Sequence, residues 1–88
     1  MLDLKLLAPV ARATNAIYMY VPQPDHEGNV DSLDTIAGEE YFFHHDLAGS
    51  IKKGDIIFVN AGDRFGILKV TEVEPWGRVN TALVFGEG

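Results

Sequence analysis

The chain has 88 residues, 47% of them hydrophobic, and a formal net charge of −6 at pH 7. This length predicts one domain over residues 1–88 with a single hydrophobic core. The sequence contains no cysteine, which excludes a disulfide framework, a thiolate metal site and a cysteine nucleophile. No apolar run approaches the roughly 20 residues that span a bilayer. We therefore expect a cytoplasmic protein with no membrane contact.

The negative charge is concentrated in one part of the chain. Between Ala13 and Ile51 there is no lysine or arginine, yet this stretch holds seven acids and all three histidines. We name residues 25–46 the acidic segment, and an acidic loop is predicted over about residues 22–40. Such an asymmetry is typical of a solvated surface or of a surface that attracts a basic partner.

The N-terminal residues predict a strand at the edge of a sheet. Leucines alternate with charged residues over residues 2–7, which indicates a strand with one buried face. Pro9 either ends this strand or places it at an edge, because proline cannot donate a ladder hydrogen bond. Residues 11–16 are ambiguous, and Thr14–Asn15 is compatible with a turn.

A second strand is predicted over residues 16–21, where apolar residues alternate. Ile17 and Met19 are predicted to face the core. Tyr18 and Tyr20 then lie on the opposite face, exposed. Prolines and turn formers follow, which predicts an exposed loop.

One short helix is the most that the next stretch allows. Asp31 is placed to cap a helix over residues 32–37 that ends at Gly38, although an irregular loop fits nearly as well. The oxygen-rich residues 25–31 resemble a calcium loop. An EF-hand requires glycine where Val30 stands, so no metal is predicted there.

The aromatic run over residues 39–46 predicts a third strand. Alternation places Tyr41 and Phe43 on one face. It also sends His44 and His45 to opposite faces, where they cannot easily bind the same ion. The sequence therefore predicts no metal site and no cofactor.

The C-terminal half predicts three more strands. Residues 56–59 and 65–73 form a β-hairpin, and a β-bulge near Thr71–Glu72 brings the apolar residue Val73 back to the core face. Residues 75–78 form a turn with a glycine in the third position. A last strand follows over residues 79–85.

About six short strands with regular turn signals and at most one short helix, near residues 31–37, predict an all-β domain. We expect a small antiparallel barrel of the SH3-like or OB-like type. The predicted core contains Ile17, Met19, Tyr41, Phe43, Ile56, Phe58, Leu68, Val70 and Leu83.

Three stretches together carry a resemblance to known proteins: Tyr41–Leu47, Ile51–Val59 with its Lys-Lys-Gly-Asp turn, and Gly66–Val73 with its Val-Thr-Glu-Val ending. They resemble small uncharacterised bacteriophage proteins and the N-terminal barrel of the primosomal helicase PriA. The second resemblance implies binding to the 3′ end of DNA strands, but no binding residue can be carried across from it.

The sequence predicts a non-catalytic binding domain, because it contains no phosphate loop, nucleophile elbow or zinc signature. The preferred function is to bind a protein with a basic surface, or to modulate a host protein, and self-association is a related option. The predicted protein-binding residues are Asp25, Glu27, Asp31, Asp34, Glu39, Glu40 and Trp76.

The alternative function is binding of single-stranded DNA or of DNA 3′ ends, which the net negative charge disfavours. Basic side chains would contact the phosphates, and tyrosine rings would stack on bases. The residues predicted for this function are Lys52, Lys53, Arg64, Lys69, Tyr18 and Tyr20.

Overall fold

The computed structural model describes residue 2 and residues 6–12, 14–38 and 41–86. Most of the first predicted strand, over residues 2–7, lies outside these residues. Two of the predicted protein-binding residues, Glu39 and Glu40, also lie outside them.

Five strands form one sheet in the order β1-β2-β3-β4-β5. The described elements are β1 (Leu7–Arg12), β2 (Ala16–Tyr20), helix α1 (Leu33–Ala37), a 3₁₀ helix (His45–Gly49), β3 (Ile56–Asn60), β4 (Phe65–Val73) and β5 (Val79–Gly86). The chain is thus mostly β, as predicted. In the described part of the chain, β1 and β5 are the two edges of an open sheet.

The prediction of an all-antiparallel sheet is wrong, because β2 and β3 pair in parallel. A parallel pair needs a long crossover connection, and residues 21–55 supply it. The other three neighbouring pairs are antiparallel. Pro9 lies in edge strand β1 beside a register shift, where its missing amide proton costs no ladder bond.

The predicted hairpin, bulge and turn are confirmed. β3 and β4 pair in antiparallel register from Ile56–Lys69 to Asn60–Phe65. The pairing of β4 with β5 shifts between Val70 and Glu72, which is the expected bulge. Gly77 has a φ of 97°, a left-handed conformation that glycine adopts without steric cost.

The third predicted strand is wrong. Phe43 forms a single bridge to Arg78, and the 3₁₀ helix begins two residues later. Tyr41 and Phe42 are neighbours in sequence and are both buried, at 9% and 1% exposure, which alternation on a strand does not allow. Both rings instead make edge contacts with Tyr20, at centroid distances of 5.9 and 5.8 Å.

In β2 and β3, the core lies on the strand face that the sequence assigned to the outside. The buried side chains of β2 are Tyr18 and Tyr20, and those of β3 are Ile57 and Val59. The predicted core residues of these strands, which lie on the opposite face and keep partial exposure, are Ile17, Met19, Ile56 and Phe58. Both faces of these strands are apolar, so a period of two does not identify the buried face.

Of the five remaining core predictions, three are confirmed and two are wrong. Leu68 and Val70 are fully buried, and Tyr41 also lies in the core. Phe43 is 48% exposed because it is not on a strand, and Leu83 is 45% exposed on edge strand β5.

Helix α1 packs on the core face through Leu33 and Ile36, which are fully buried. Its N-cap is Ser32, one residue later than predicted, and Ser32 Oγ accepts a hydrogen bond from Thr35 N at 3.2 Å. Leu33 lies directly over Gly66, where a β-carbon would come within 2.5 Å of its Cδ1. The small residue therefore sets how closely α1 approaches the sheet.

A buried carboxylate joins three parts of the fold. Asp55 is 2% exposed, and its Oδ1 accepts from Ala16 N at 3.0 Å while its Oδ2 accepts from Lys52 N at 2.9 Å. Its backbone carbonyl accepts from Val70 N at 2.8 Å. Asp55 thus fixes the start of β2, the turn before β3 and the middle of β4.

Asp55→Ala leaves two amide donors without acceptors, and we expect it to lower the free energy of unfolding by about 3 kcal/mol. The matched control is Asp25→Ala, because Asp25 Oδ1 also accepts two amide bonds but in an exposed loop. Its expected cost is about 0.5 kcal/mol. Urea unfolding of both variants measures the difference, and equal costs would contradict a special role for the buried carboxylate.

Candidate functional site

The sheet face opposite the core carries a row of apolar side chains across all five strands. Cα partners in neighbouring strands place their side chains on the same face. The register joins Ala8 to Met19, Met19 to Phe58, Phe58 to Ile67 and Ile67 to Phe85. Phe85, at the end of this row, is 52% exposed.

A second row runs beside the first and contains one charged side chain. It consists of Ala11, Ile17, Ile56, Lys69 and Ala82. The ring of Phe65 extends the aromatic part of this surface by an edge contact with Phe58, at a centroid distance of 6.1 Å. We name these two rows with Phe65 the open face.

The described elements outside the sheet pack on the core face, not on the open face. Leu33 of α1 and the rings of Tyr41 and Phe42 contact the core side of the sheet. Leu47 and Ile51 are buried in the same cluster. The partly buried apolar residues that pack against this core are Leu2, Leu6, Leu7, Ala37 and Val73, none of which belongs to the open face.

Contiguous exposed apolar surface on a small protein commonly marks an interaction site. The open face is such a surface, since its isoleucine, methionine and phenylalanine side chains retain contact with solvent. The sequence analysis missed it because it assigned four of these side chains to the core: Ile17, Met19, Ile56 and Phe58. The feature of the sequence that could have revealed the open face is the apolar character of both faces of β2 and β3.

The acidic segment does not form one uniform surface. Asp31 Oδ2 accepts a hydrogen bond from Tyr41 Oη at 2.7 Å, and Tyr41 Oη is 2.9 Å from Tyr20 Oη. This chain of hydroxyl groups connects a predicted binding residue to the core. Burial and these two partners raise the pKa of Tyr41 far above its usual value of 10.0.

This pKa shift predicts a loss of stability in alkali. Because the unfolded Tyr41 ionises near pH 10 and the folded one resists ionisation, its contribution is complete below pH 10 and is lost as the pH rises. Tyr41→Phe should reduce the decline of unfolding free energy between pH 10 and 11 by up to about 1 kcal/mol. Denaturant unfolding at both pH values measures this decline, and identical slopes for the two proteins would contradict the shift.

Asp34 and Asp63 also have partners within the protein. Asp34 Oδ1 lies 2.6 Å from Arg64 Nη2, and Asp63 Oδ2 lies 3.6 Å from Arg64 Nε. Asp63 Oδ1 accepts from Leu33 N at 3.0 Å, and this bond is the main reason that the pKa of Asp63 is lowered. Arg64, a predicted nucleic-acid ligand, is thus held by carboxylates.

Asp25 and Glu27 are both exposed to solvent. Both lie in the exposed loop before α1, which turns at Gly28 with a φ of 86°. Asp25 closes this loop by accepting the amides of Glu27 and Asn29, each at 2.9 Å. The loop therefore presents its negative charge to solvent.

Trp76 lies at the opposite end of β4 from these acids. It is 56% exposed on the turn between β4 and β5, whereas α1 packs over Gly66 at the start of β4. The seven residue steps from Gly66 to Val73 span about 23 Å at the usual rise of a strand. Trp76 is therefore not brought into one site with those predicted protein-binding acids that the structure describes.

The turn that carries Trp76 is fixed by close backbone contact. Gly77 O accepts from His44 N at 3.1 Å, and Phe42 O accepts from Val79 N at 2.8 Å. A β-carbon on Gly77 would collide with His44 O and lie 2.7 Å from the α-carbon of His45. The backbone next to Trp76 is thus held in place by its contacts with residues 42–45.

Gly77→Ala combines left-handed strain with this collision, and we expect it to cost about 3 kcal/mol or more of unfolding free energy. Gly28→Ala is the matched control, since Gly28 also has a positive φ but no atom within 4 Å of the added carbon. That variant should lose about 1 kcal/mol. Thermal unfolding compares the two, and similar losses would show that the contact with residues 44–45 is unimportant.

The residues predicted for nucleic acid are also scattered. Lys52 and Lys53 are exposed on the turn before β3, while Lys69 is exposed on the open face. Tyr18 and Tyr20 are 3% and 1% exposed. The expectation that their rings are exposed for stacking on bases is wrong, because this face of β2 is the core.

A groove of about 230 Å³ lies at the β1 edge of the core. Its polar lining is limited: Tyr18 Oη donates to Ser50 O at 2.9 Å, and Asp46 lies at the rim. The remaining lining residues are Leu7, Pro9, Leu47 and Ile51. Among these residues no nucleophile is paired with a base, so the groove offers an apolar recess and no evident chemistry.

Comparison with protein-family models, with curated proteins and with solved structures gave no significant match. In the part of the chain that the structure describes, no helix has the length and apolar character needed to cross a membrane.

Proposed function

We propose that this chain is a non-catalytic protein-binding domain that uses the open face as its docking surface. The observation that carries the proposal is the in-register row Met19, Phe58, Ile67 and Phe85 on the face opposite the core. Methionine and aromatic residues are enriched at protein interfaces, and charged residues are depleted from their centres. The open face has this composition, with Lys69 as the charged member of its two rows.

The acidic loop adds a second element to the proposed interface. Asp25 and Glu27 are exposed and would favour a partner whose binding patch is apolar and bordered by basic side chains. Such charges mainly accelerate encounter, while buried aromatic anchors determine how long the complex lasts. Within this proposal, added salt slows association more than it hastens dissociation.

The finer fold assignment is part of the same proposal. A five-stranded sheet with a bulge in β4 fits a small barrel of the SH3-like or OB-like type, and such barrels host many unrelated functions. The resemblance to phage proteins suggests that the partner is a host protein and that binding takes place in the cytoplasm. These points add to the proposal, which rests on the open face.

Binding of single-stranded DNA is the second candidate. It is favoured by one observation, that Phe58, Phe65 and Phe85 share the open face with Lys69. Aromatic rings beside a basic side chain form a platform on which bases stack. The net charge of −6 opposes this function, because phosphate contacts normally require a basic surface.

The test compares two single substitutions that remove similarly exposed aromatic rings. Phe85→Ser removes a ring from the open face (52% exposed), and Trp76→Ser removes one from the turn (56% exposed). Each tagged variant is used to capture proteins from a lysate of cells that produce the chain. We expect Phe85→Ser to reduce the recovered partner about tenfold or more, and Trp76→Ser to leave it unchanged.

A loss with Trp76→Ser and none with Phe85→Ser would contradict the open face as the docking surface. A parallel assay follows the fluorescence anisotropy of labelled single-stranded and 3′-tailed DNA at low salt. We expect no binding. Binding that Lys69→Glu abolishes would replace the protein-binding proposal with the DNA proposal.

A further inference from the structure

A second feature that could bind a ligand is a cluster of three side chains at the start of the 3₁₀ helix. His44, His45 and Asp46 each offer one ligand atom, and these three atoms all lie within 4.8 Å of one another. The sequence argument against a shared ion assumed a strand, in which neighbouring histidines diverge. The chain instead turns at His45, which places both imidazoles on the same side.

The rings of His44 and His45 are stacked, with centroids 4.5 Å apart and planes inclined by 23°. Asp46 lies beside both rings: its Oδ2 is 3.7 Å from His44 Nδ1 and its Oδ1 is 3.3 Å from His45 Nε2. Ligand atoms around a tetrahedral zinc ion are about 3.4 Å apart, given zinc–ligand bonds of about 2.0–2.1 Å. Each imidazole nitrogen thus lies close to this separation from one of the two carboxylate oxygens of Asp46.

We propose that His44, His45 and Asp46 form a binding site for a first-row divalent cation, with Zn²⁺ as its ligand. Two neutral imidazoles and one carboxylate are a ligand set that suits Zn²⁺ and does not suit Ca²⁺ or Mg²⁺, which prefer oxygen ligands alone. Three protein ligands leave a fourth position for water or for a ligand from a partner.

The free protein already holds part of this site in place. His44 N donates to Gly77 O, so the backbone at the first ligand is anchored to the turn between β4 and β5. His44 Nδ1 accepts from Asp46 N at 3.1 Å, and the lone pair that makes this bond is the one that would bind the metal. Ion binding replaces an exposed hydrogen bond, and the freed amide can bond to water.

The two histidines must separate slightly to admit an ion between them. Their side chains have room to rotate, since His44 is 36% exposed and His45 is 82% exposed. Asp46 is 61% exposed, so its side chain also has room to rotate. The cation would thus bind at the surface and link the three side chains at the start of the 3₁₀ helix to one another.

The test is a calorimetric titration of chelator-treated protein with ZnCl₂ at neutral pH. We expect saturable binding of one ion per chain. His45→Ala removes a ligand at an exposed position and should weaken binding by about tenfold or more. His44→Asn serves as a second variant, because asparagine keeps a hydrogen-bond acceptor at the N-cap while removing an imidazole.

The control is His26→Ala, which removes the third histidine. His26 also lies beside a carboxylate, since its Nε2 is 3.5 Å from Glu27 Oε1, but it has no second imidazole. We expect this variant to bind Zn²⁺ like the unmodified chain. The proposal would be overturned by the absence of saturable binding, by an effect of His26→Ala alone, or by displacement of zinc by an equal concentration of CaCl₂.

Discussion

The buried carboxylate of Asp55 is the interaction on which the rest of this fold depends. A parallel β2–β3 pair has no tight turn to set its register, so the register must come from elsewhere. Asp55 sets it by accepting the amide of Ala16 at the start of β2 and that of Lys52 just before β3. With β2 fixed beside β3, the long connection of residues 21–55 must pass over one face of the sheet.

That connection decides which side of the sheet becomes the core. It brings Leu33, Ile36, Phe42 and Leu47 onto the face that carries Tyr18 and Tyr20, and all six side chains are buried there. The opposite face has comparable apolar character but receives no described helix. An 88-residue chain has few residues with which to cover the second face of its sheet. The open face is the consequence, and it is the reason that we assign a binding function to this sheet.

How far the sequence predicts this structure depends on whether a feature is local. The β3–β4 hairpin, the bulge after Val70 and the turn at Gly77 are encoded by neighbouring residues, and all were predicted correctly. The parallel pairing and the buried face depend on residues far apart in the chain, and these predictions were wrong. The aromatic run at 41–43 has strand propensity, but it forms a single β-bridge, between Phe43 and Arg78, before the 3₁₀ helix begins.

The candidate sites also divide into features that depend on local sequence, which were predictable, and features that depend on the fold, which were not. The exposure of Trp76 and of the acidic loop was predictable from turn residues. The open face was not, because it appears only once the covered face is known. The approach of His44 and His45 was not predictable either, since it depends on a 3₁₀ helix where alternation indicated a strand.

The most direct measurement of the central claim is the thiol reactivity of two neighbouring positions in β4. The chain has no cysteine, so Ile67→Cys and Leu68→Cys each introduce a single reactive group. Ile67 lies on the open face and Leu68 in the core. The account predicts that a thiol reagent modifies the Ile67→Cys protein about tenfold faster or more under native conditions, because the second thiol reacts only after local opening. Equal rates, or a faster reaction at position 68, would contradict it.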